Sequence, residues 1–458
     1  MNSRAEDVIV GIDLGTTSSL VAWASPTGPQ VIPGTTGGVR SFPGNSKTRS
    51  NPDEAGNGNA RDNTPTLLEI SVPILRELKA RAEQHLKRSV TGAVVAVPTY
   101  FDDAQRRATL DAGQAAGLDV IRIANGPTVA ALACGLDRME PGCSAIYDLG
   151  GGTLDVSIVR VEAGLLEVLA SEGDPHVGGE DFNAALVELF SREISDQLRL
   201  DRHGPLDRHH LRTLAENAKI QLSEEPEAQV EVDVGENLVY RRTVKRPEFE
   251  ALIQPFVDRT IAACARTLRR ARLTSEEVKQ VLLVGGSAQI PYVRQQVAQV
   301  FGRQPRVIPH PERVVALGAA AWASSLTGER SDMVVLDVTS WSVGVETPTG
   351  AMDNLITANA RIPCLASRTF TTARDQQTTV VIDVMQGEGE LARDCQLLGR
   401  YELRDIPAMP AGTARITVTF LIDQNGTLNL AAREQYSGRP AIIQTLSPLH
   451  PTCATPRP

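Results

Sequence analysis

Two short stretches carry residue types suited to holding a magnesium nucleotide: Asp148-Leu149-Gly150-Gly151-Gly152-Thr153-Leu154-Asp155, and a weaker copy, Asp13-Leu14-Gly15-Thr16-Thr17. Glycine has no Cβ, so backbone N–H groups at Gly15, Gly150, Gly151 and Gly152 can approach phosphate oxygens closely, and Thr16, Thr17 and Thr153 add hydroxyl donors. Asp13, Asp148 and Asp155 offer the hard oxygens that hold a hydrated Mg²⁺, directly or through its water. One Asp-Leu-Gly at a strand end is usually only a turn. Two copies, with Val284-Gly285-Gly286-Ser287 as a further Gly-rich turn, imply one ligand between two lobes.

The flanking residues say what must position these tips. Each copy lies between β-rich runs, 8–12 and 20–23 for the first, 145–147 and 156–161 for the second, so each reads as a hairpin with the chemistry at its turn. A strand, not a helix, follows each turn, which sets the pattern apart from dinucleotide and Walker loops. From Leu67 the period changes, with Leu75, Leu78, Ala82 and Leu86 on one helix face. A strand over 93–97, a helix capped by Asp102 and ending at Gly117, a strand over 120–123 and an Ala-rich helix opened by Asn125-Gly126-Pro127-Thr128 then alternate, which implies an α/β core. From about 339 to 447 helical periodicity gives way to short alternating strands over 378–385, 416–422 and 428–432. Asp423-Gln424-Asn425-Gly426 reads as a hairpin turn, and a β-sandwich is the expected fold.

At 458 residues the chain has room for two or three domains. A net charge of -9 lacks the basic face that nucleic-acid binding needs. The six cysteines, Cys134, Cys143, Cys264, Cys364, Cys395 and Cys453, form no CxxC pair, so neither a zinc ribbon nor a disulfide framework is indicated. His176, His203, His209 and His210 have no Cys or carboxylate spacing around them that forms a ligand set. The N-terminus lacks the pattern of a signal peptide, and the longest apolar helical stretch, 314–326, is too short to span a bilayer, so a cytoplasmic protein is expected.

Several segments resemble the ATPase domain of the seventy-kilodalton heat-shock chaperones: GIDLGTTSSLVA from Gly11, VPTYFDDAQRRAT from Val97, YDLGGGTLDVSIV from Tyr147, GGEDF from Gly178, AKIQLS from Ala218, VLLVGGSAQIP from Val281 and VVALGAA from Val314. The run from Val384, VMQGEGELARDCQLLGRYELRDIPAMPAG, is similar to their peptide-binding domain, in wording nearest the HscA branch of iron–sulfur cluster assembly. The resemblance implies an actin-like (ribonuclease-H-like) two-lobed α/β ATPase over 1–330, an interdomain linker over 331–338 and an all-β sandwich that binds peptide over 339–449. It implies ATP or ADP with Mg²⁺ as ligands and hydrolysis carried by Asp13, Asp148 and Thr153. Gly178 and Gly179 become backbone contacts to phosphate, and Glu180 a cap on the next helix. Glu216, Lys219 and Ser223, on one helix face, become contacts to ribose and base, with Gly285, Gly286 and Ser287 completing the adenosine pocket. Ile220 stands where the family often stacks a basic residue on adenine. Phe370, Ala373, Val380 and Ile382 are implied to line the peptide groove, with Pro348 replacing a residue that arches over it. The implied partners are a J-domain co-chaperone and an iron–sulfur scaffold or unfolded client peptide, and the implied state is a monomer with no nucleic-acid or membrane partner.

The chain also departs from the family. Residues 34–65, rich in Gly, Asn, Ser, Thr and Pro, read as a flexible loop where the family has a longer α/β subdomain bearing a lysine that contacts the γ-phosphate. Lys47 does not reproduce that motif. Gly126 stands where the family has a glutamate beside the metal's water shell. The segment 450–458 reads as a Pro-rich tail where the family continues into a helical lid, so bound peptide is expected to leave quickly. Two readings follow: an ATP-dependent chaperone, or a nucleotide-binding peptide binder with lost hydrolysis. A small-molecule kinase or an actin-like filament protein would share the hairpins but not the C-terminal resemblance.

Overall fold

The computed structural model describes residues 8–15, 17–34, 39–40, 66–198, 208–235, 238–326, 334–436, 438, 440 and 442–447. Thr16, Lys47, His203, most of 34–65, the first residues of 331–338 and the tail 450–458 lie outside them.

The first hairpin is β1 (Val8–Leu14) and β2 (Ser18–Ser25), extended by β3 (Gly28–Val31) and by the short β4 (Val39–Arg40), which pairs Ser18 and Ser19. Helix α1 (Leu67–Leu86) starts at Thr66, whose side chain caps Glu69 N–H while the Glu69 carboxylate accepts from Thr66 N–H at 2.8 Å. Strand β5 (Val90–Val97), helix α2 (Asp103–Ala115), strand β6 (Asp119–Asn125) and helix α3 (Gly126–Ala133) follow. The sheet order β3-β2-β1-β5-β6 is antiparallel between β1 and β2 and parallel from β1 to β6. Leu75, Leu78 and Ala82 of α1 are fully buried against it.

The second lobe repeats the device. It comprises β7 (Gly142–Leu149), β8 (Leu154–Glu162), β9 (Leu165–Asp174), α4 (Gly179–Leu198), α5 (Arg208–Glu224), the hairpin β10 (Glu227–Gly235) and β11 (Leu238–Lys245), α6 (Arg246–Ala271), β12 (Val278–Val284), α7 (Pro291–Phe301), β13 (Arg306–Val307) and α8 (Val314–Leu326). Helices α3 and α8 lie between the two sheets, and one apolar cluster runs from Val94 and Ala96 through Val129 and Ala319 to Ile146 and Leu282. Close approach is enforced by glycine: a Cβ at Gly11 would lie 2.0 Å from Ala320 N, and one at Gly318 would lie 1.8 Å from the Val129 carbonyl oxygen.

Strand β14 (Val334–Val338) then adds to the second lobe's sheet, parallel to β9 with Leu336 opposite Glu167. Beyond it come β15 (Val343–Glu346), β16 (Met352–Ile356), β17 (Arg361–Ile362), β18 (Cys364–Phe370), β19 (Val380–Gln386), β20 (Gln396–Arg404), β21 (Ile416–Ile422), β22 (Leu428–Glu434) and β23 (Ile442–Ser447). Strand β17 pairs antiparallel with β14, and the others form two antiparallel sheets, β16-β15-β19-β20-β23 and β18-β21-β22, which enclose a core including Val345, Val384, Leu403, Val418 and Phe420. Strand β21 alternates the buried Ile416, Val418, Phe420 and Ile422 with the less buried Thr417, Thr419 and Leu421, as a half-buried strand must.

Candidate functional site

The two hairpin tips meet. A Cβ placed on Gly151 would lie 2.0 Å from Thr17 Oγ1, so the loops touch across the cleft between the lobes and only glycine fits at that point. Gly150 N–H donates to Thr153 O at 3.0 Å, closing the second tip. Helix α4 docks behind it: Gly179 and Glu180 N–H groups donate to Gly150 O at 3.1 Å and Gly151 O at 2.6 Å. Gly178 lies close against Gly151, where a Cβ would stand 2.5 Å from its carbonyl oxygen. The N-terminal residue that caps here is Asp181, whose Oδ2 accepts from Gly178 N–H at 2.9 Å, rather than Glu180. Spacing explains this, because Asp181 lies three residues past the unpaired donor.

Asp13 and Asp148 close the cleft floor. Among the described residues neither carboxylate accepts a hydrogen bond from the protein. Burial, and for Asp13 the neighbouring charge of Asp148, push their pKa values up to about 8 and about 7. A cation beside such a pair favours the charged form of both carboxylates. These oxygens, with the glycine-lined tips, fit a magnesium-bound phosphate. Asp155 is different. It pairs across β7 and β8 with Asp148, yet its Oδ1 accepts from both the hydroxyl and the N–H of Thr99, the latter at 3.1 Å. The three carboxylates therefore do not form one ligand set, and among the described residues no group of three or more His, Cys, Asp or Glu side chains is placed to hold a metal. Thr99 occupies Asp155 Oδ1, although Asp155, as the cross-strand partner of Asp148, shares its face of the sheet and feels its charge.

The adenosine candidates come together from both ends of the second lobe. Lys219 Nζ on α5 donates to Gly179 O at 3.2 Å, and a Cβ on Gly179 would lie 2.4 Å from Ser287 Oγ and 2.9 Å from Lys219 Nζ. Burial lowers the Lys219 pKa against the opposing pull of Glu216 and Glu180. Gly285 adopts a φ of +82°, and a Cβ there would meet Leu149 O at 2.3 Å, whereas Gly286 faces open space. Ser223 spends its hydroxyl proton on Lys219 O at 2.9 Å, and Ile220 is 54% exposed. Gly126 opens α3 beside the cleft, with Asp148 Oδ2 3.9 Å from the place its Cβ would take.

In the C-terminal domain the expected groove residues divide. Phe370 is half-buried and Ala373 exposed, but Val380 and Ile382 are 8% and 4% exposed and belong to the core. They alternate inward with Val384 along β19, leaving Val381 outside, so the structure encloses both in the core between the two sheets. Pro348 lies in the exposed turn that Thr347 closes through its bond to Ala351 O.

His176, His209 and His210 are exposed. No described helix is long and apolar enough to cross a membrane. Three features escaped sequence reasoning: the β10–β11 hairpin, helix α6, and the contacts of Thr99 with Asp155 and with the C-terminal domain.

Comparison with known proteins places these features in a family. The family model described as "Hsp70 protein" matches residues 47–448. A "Chaperone protein HscA homolog" of Methylobacillus flagellatus is 46% identical over 378 residues, 82% of this chain and 60% of that protein. Those of Burkholderia mallei and Burkholderia pseudomallei are 44% identical over 385 residues, 83% of this chain and 62% of each. The chain thus spans about three fifths of the length of the curated relatives it matches.

Proposed function

The chain belongs to the Hsp70 family, and from that premise we propose that it is an ATP-dependent chaperone in which nucleotide held between the lobes governs the grip of the C-terminal sheets on an exposed peptide segment. The observation that supports this reading is the contact of Thr17 with Gly151 across the cleft, beside two carboxylates that accept no hydrogen bond among the described residues. Backbone N–H groups of the two tips bind phosphate, and Asp13 and Asp148 hold Mg²⁺ through its water. The bound ion supplies charge neutralisation of the phosphates. Thr153 orients a terminal phosphate oxygen, Lys219 and Glu216 hold the sugar, and Gly285, Gly286 and Ser287 flank the base. The segment around Phe370 and Ala373 is the peptide contact. A J-domain co-chaperone and an iron–sulfur scaffold are the proposed partners.

A second reading, a nucleotide-gated peptide binder without turnover, is favoured by Gly126 and by the surroundings of Lys47, which do not reproduce the motif of the phosphate-contacting lysine. Glycine cannot accept a proton or orient water, and losing one such group costs on the order of 10²-fold in rate. Single-turnover hydrolysis of Mg·ATP, with binding measured in parallel and Gly126→Glu beside the parent, separates the two. Binding with slow cleavage supports the chaperone. Binding without cleavage, with activity gained in Gly126→Glu, supports the second reading. No binding sinks both.

A further inference from the structure

The turn that leaves β5 is gripped from two sides. On one side, the Thr99 hydroxyl and N–H both donate to Asp155 Oδ1, with Thr99 1% and Asp155 5% exposed. On the other, Ser340 Oγ–H donates to the Thr99 carbonyl, and the Trp341 indole N–H donates to the Tyr100 carbonyl at 2.8 Å. Ser340 and Trp341 lie just past β14, 241 residues along the chain from the groups they hold. Gly173, opposite Asp155 in the β8–β9 register, makes room. A Cβ there would lie 2.8 Å from Asp155 Oδ1, 2.9 Å from Tyr100 Cδ1 and 3.0 Å from Thr99 Oγ1.

Asp155 sits across the β7–β8 ladder from Asp148, so a single buried carboxylate separates the cleft from a turn that the C-terminal domain also holds. A change at the second hairpin has a short route outward: Asp155 moves, the Thr99 hydroxyl follows, and the two carbonyls presented to Ser340 and Trp341 are re-aimed. Resting on the nucleotide-binding reading above, we propose that Thr99 is a positioning residue that couples the second phosphate hairpin to the C-terminal domain through Asp155 on one side and Ser340 and Trp341 on the other. Its hydroxyl, not its bulk, carries the coupling, since valine would fill the same space while leaving Asp155 Oδ1 with the backbone donor alone.

Trp341 is its own reporter. With Trp23→Phe and Trp322→Phe, the chain retains one tryptophan, whose emission is read with and without Mg·ATP while calorimetry follows nucleotide binding. The parent is expected to show a nucleotide-dependent change in Trp341 emission. In Thr99→Val that change shrinks roughly two- to tenfold, the range one net hydrogen bond supports, while nucleotide still binds; Thr99→Ser restores it. Ser340→Ala, which cuts the other side, shrinks it as well and decides the matter if Thr99→Val does not fold. A full response in Thr99→Val, or in Ser340→Ala where that variant decides, overturns the coupling and leaves the nucleotide reading standing. A parent that binds nucleotide with Trp341 unmoved does the same, and a parent that binds none overturns both.

Discussion

At Gly318 an added Cβ would stand 1.8 Å from the Val129 carbonyl, a backbone atom with nowhere to go, whereas at Gly126 the nearest atoms are 3.8 and 3.9 Å away. Gly318→Ala is therefore expected to cost roughly 1–3 kcal/mol through forced separation of α3 and α8, lowering the thermal midpoint. Gly126→Ala is expected to stay within about 0.5 kcal/mol of the parent in the same scan. The two glycines look alike as letters. What separates them is a helix crossing that brings residues 129 and 318 together, and no local pattern reports that. The hairpin tips were legible because Asp, Gly and Thr in one turn leave few chemical uses. Lys219 and Glu216 were legible only through the family resemblance, since charges on a helix ordinarily mark its wet face. Thr99 gave no signal at all. A threonine after Pro98 is an ordinary residue until Asp155 folds against it.

Elements with local punctuation were read closely: α1 begins at Leu67 after its capping residue, and β21 spans Ile416–Ile422 as the alternation required. Thr66→Ala removes one half of that capping box and is expected to cost about 0.5–2 kcal/mol, seen as earlier loss of helical signal on heating. β14 was harder, because four aliphatic residues around one aspartate fit many buried strands; only its pairing with β9 shows which sheet it completes. Its first ladder bond runs from Val334 N–H to Gly164 O at 2.9 Å, and the Val334 side chain is 56% exposed. Val334→Pro deletes that donor with little loss of packing. Limited proteolysis of residues 327–338 is expected to quicken roughly two- to tenfold, the worth of one net hydrogen bond; unchanged cleavage would mean that β14 is held by its other contacts.

Over the whole molecule, the C-terminal domain is fastened by charge as well as by strand. Glu167 of β9 is buried between Arg160 of β8, at 2.6 Å, and Arg361 of β17, so one carboxylate binds an arginine from each side of the domain boundary. Glu167→Gln removes the counter-charge that holds Arg361 and leaves Arg160 with Glu162 at 3.5 Å. Small-angle scattering is expected to report a larger radius of gyration as the domains part, and an unchanged radius would show that the hydrogen bonds of Ser340 to Thr99, of Asn125 to Asp337 and of Leu428 N–H to Asp103 suffice. The order of the chain carries a different cost. Helix α8, the cover for β1 and β2, leaves the ribosome about 300 residues after β1, on the order of 15–60 s later at ordinary rates of synthesis. Through that interval Gly11 and Ala22, which end fully enclosed against Ala319 and Ala320, have no lid of their own. A nascent copy of this chain is itself, for most of its synthesis, a polypeptide with an open apolar face awaiting a partner.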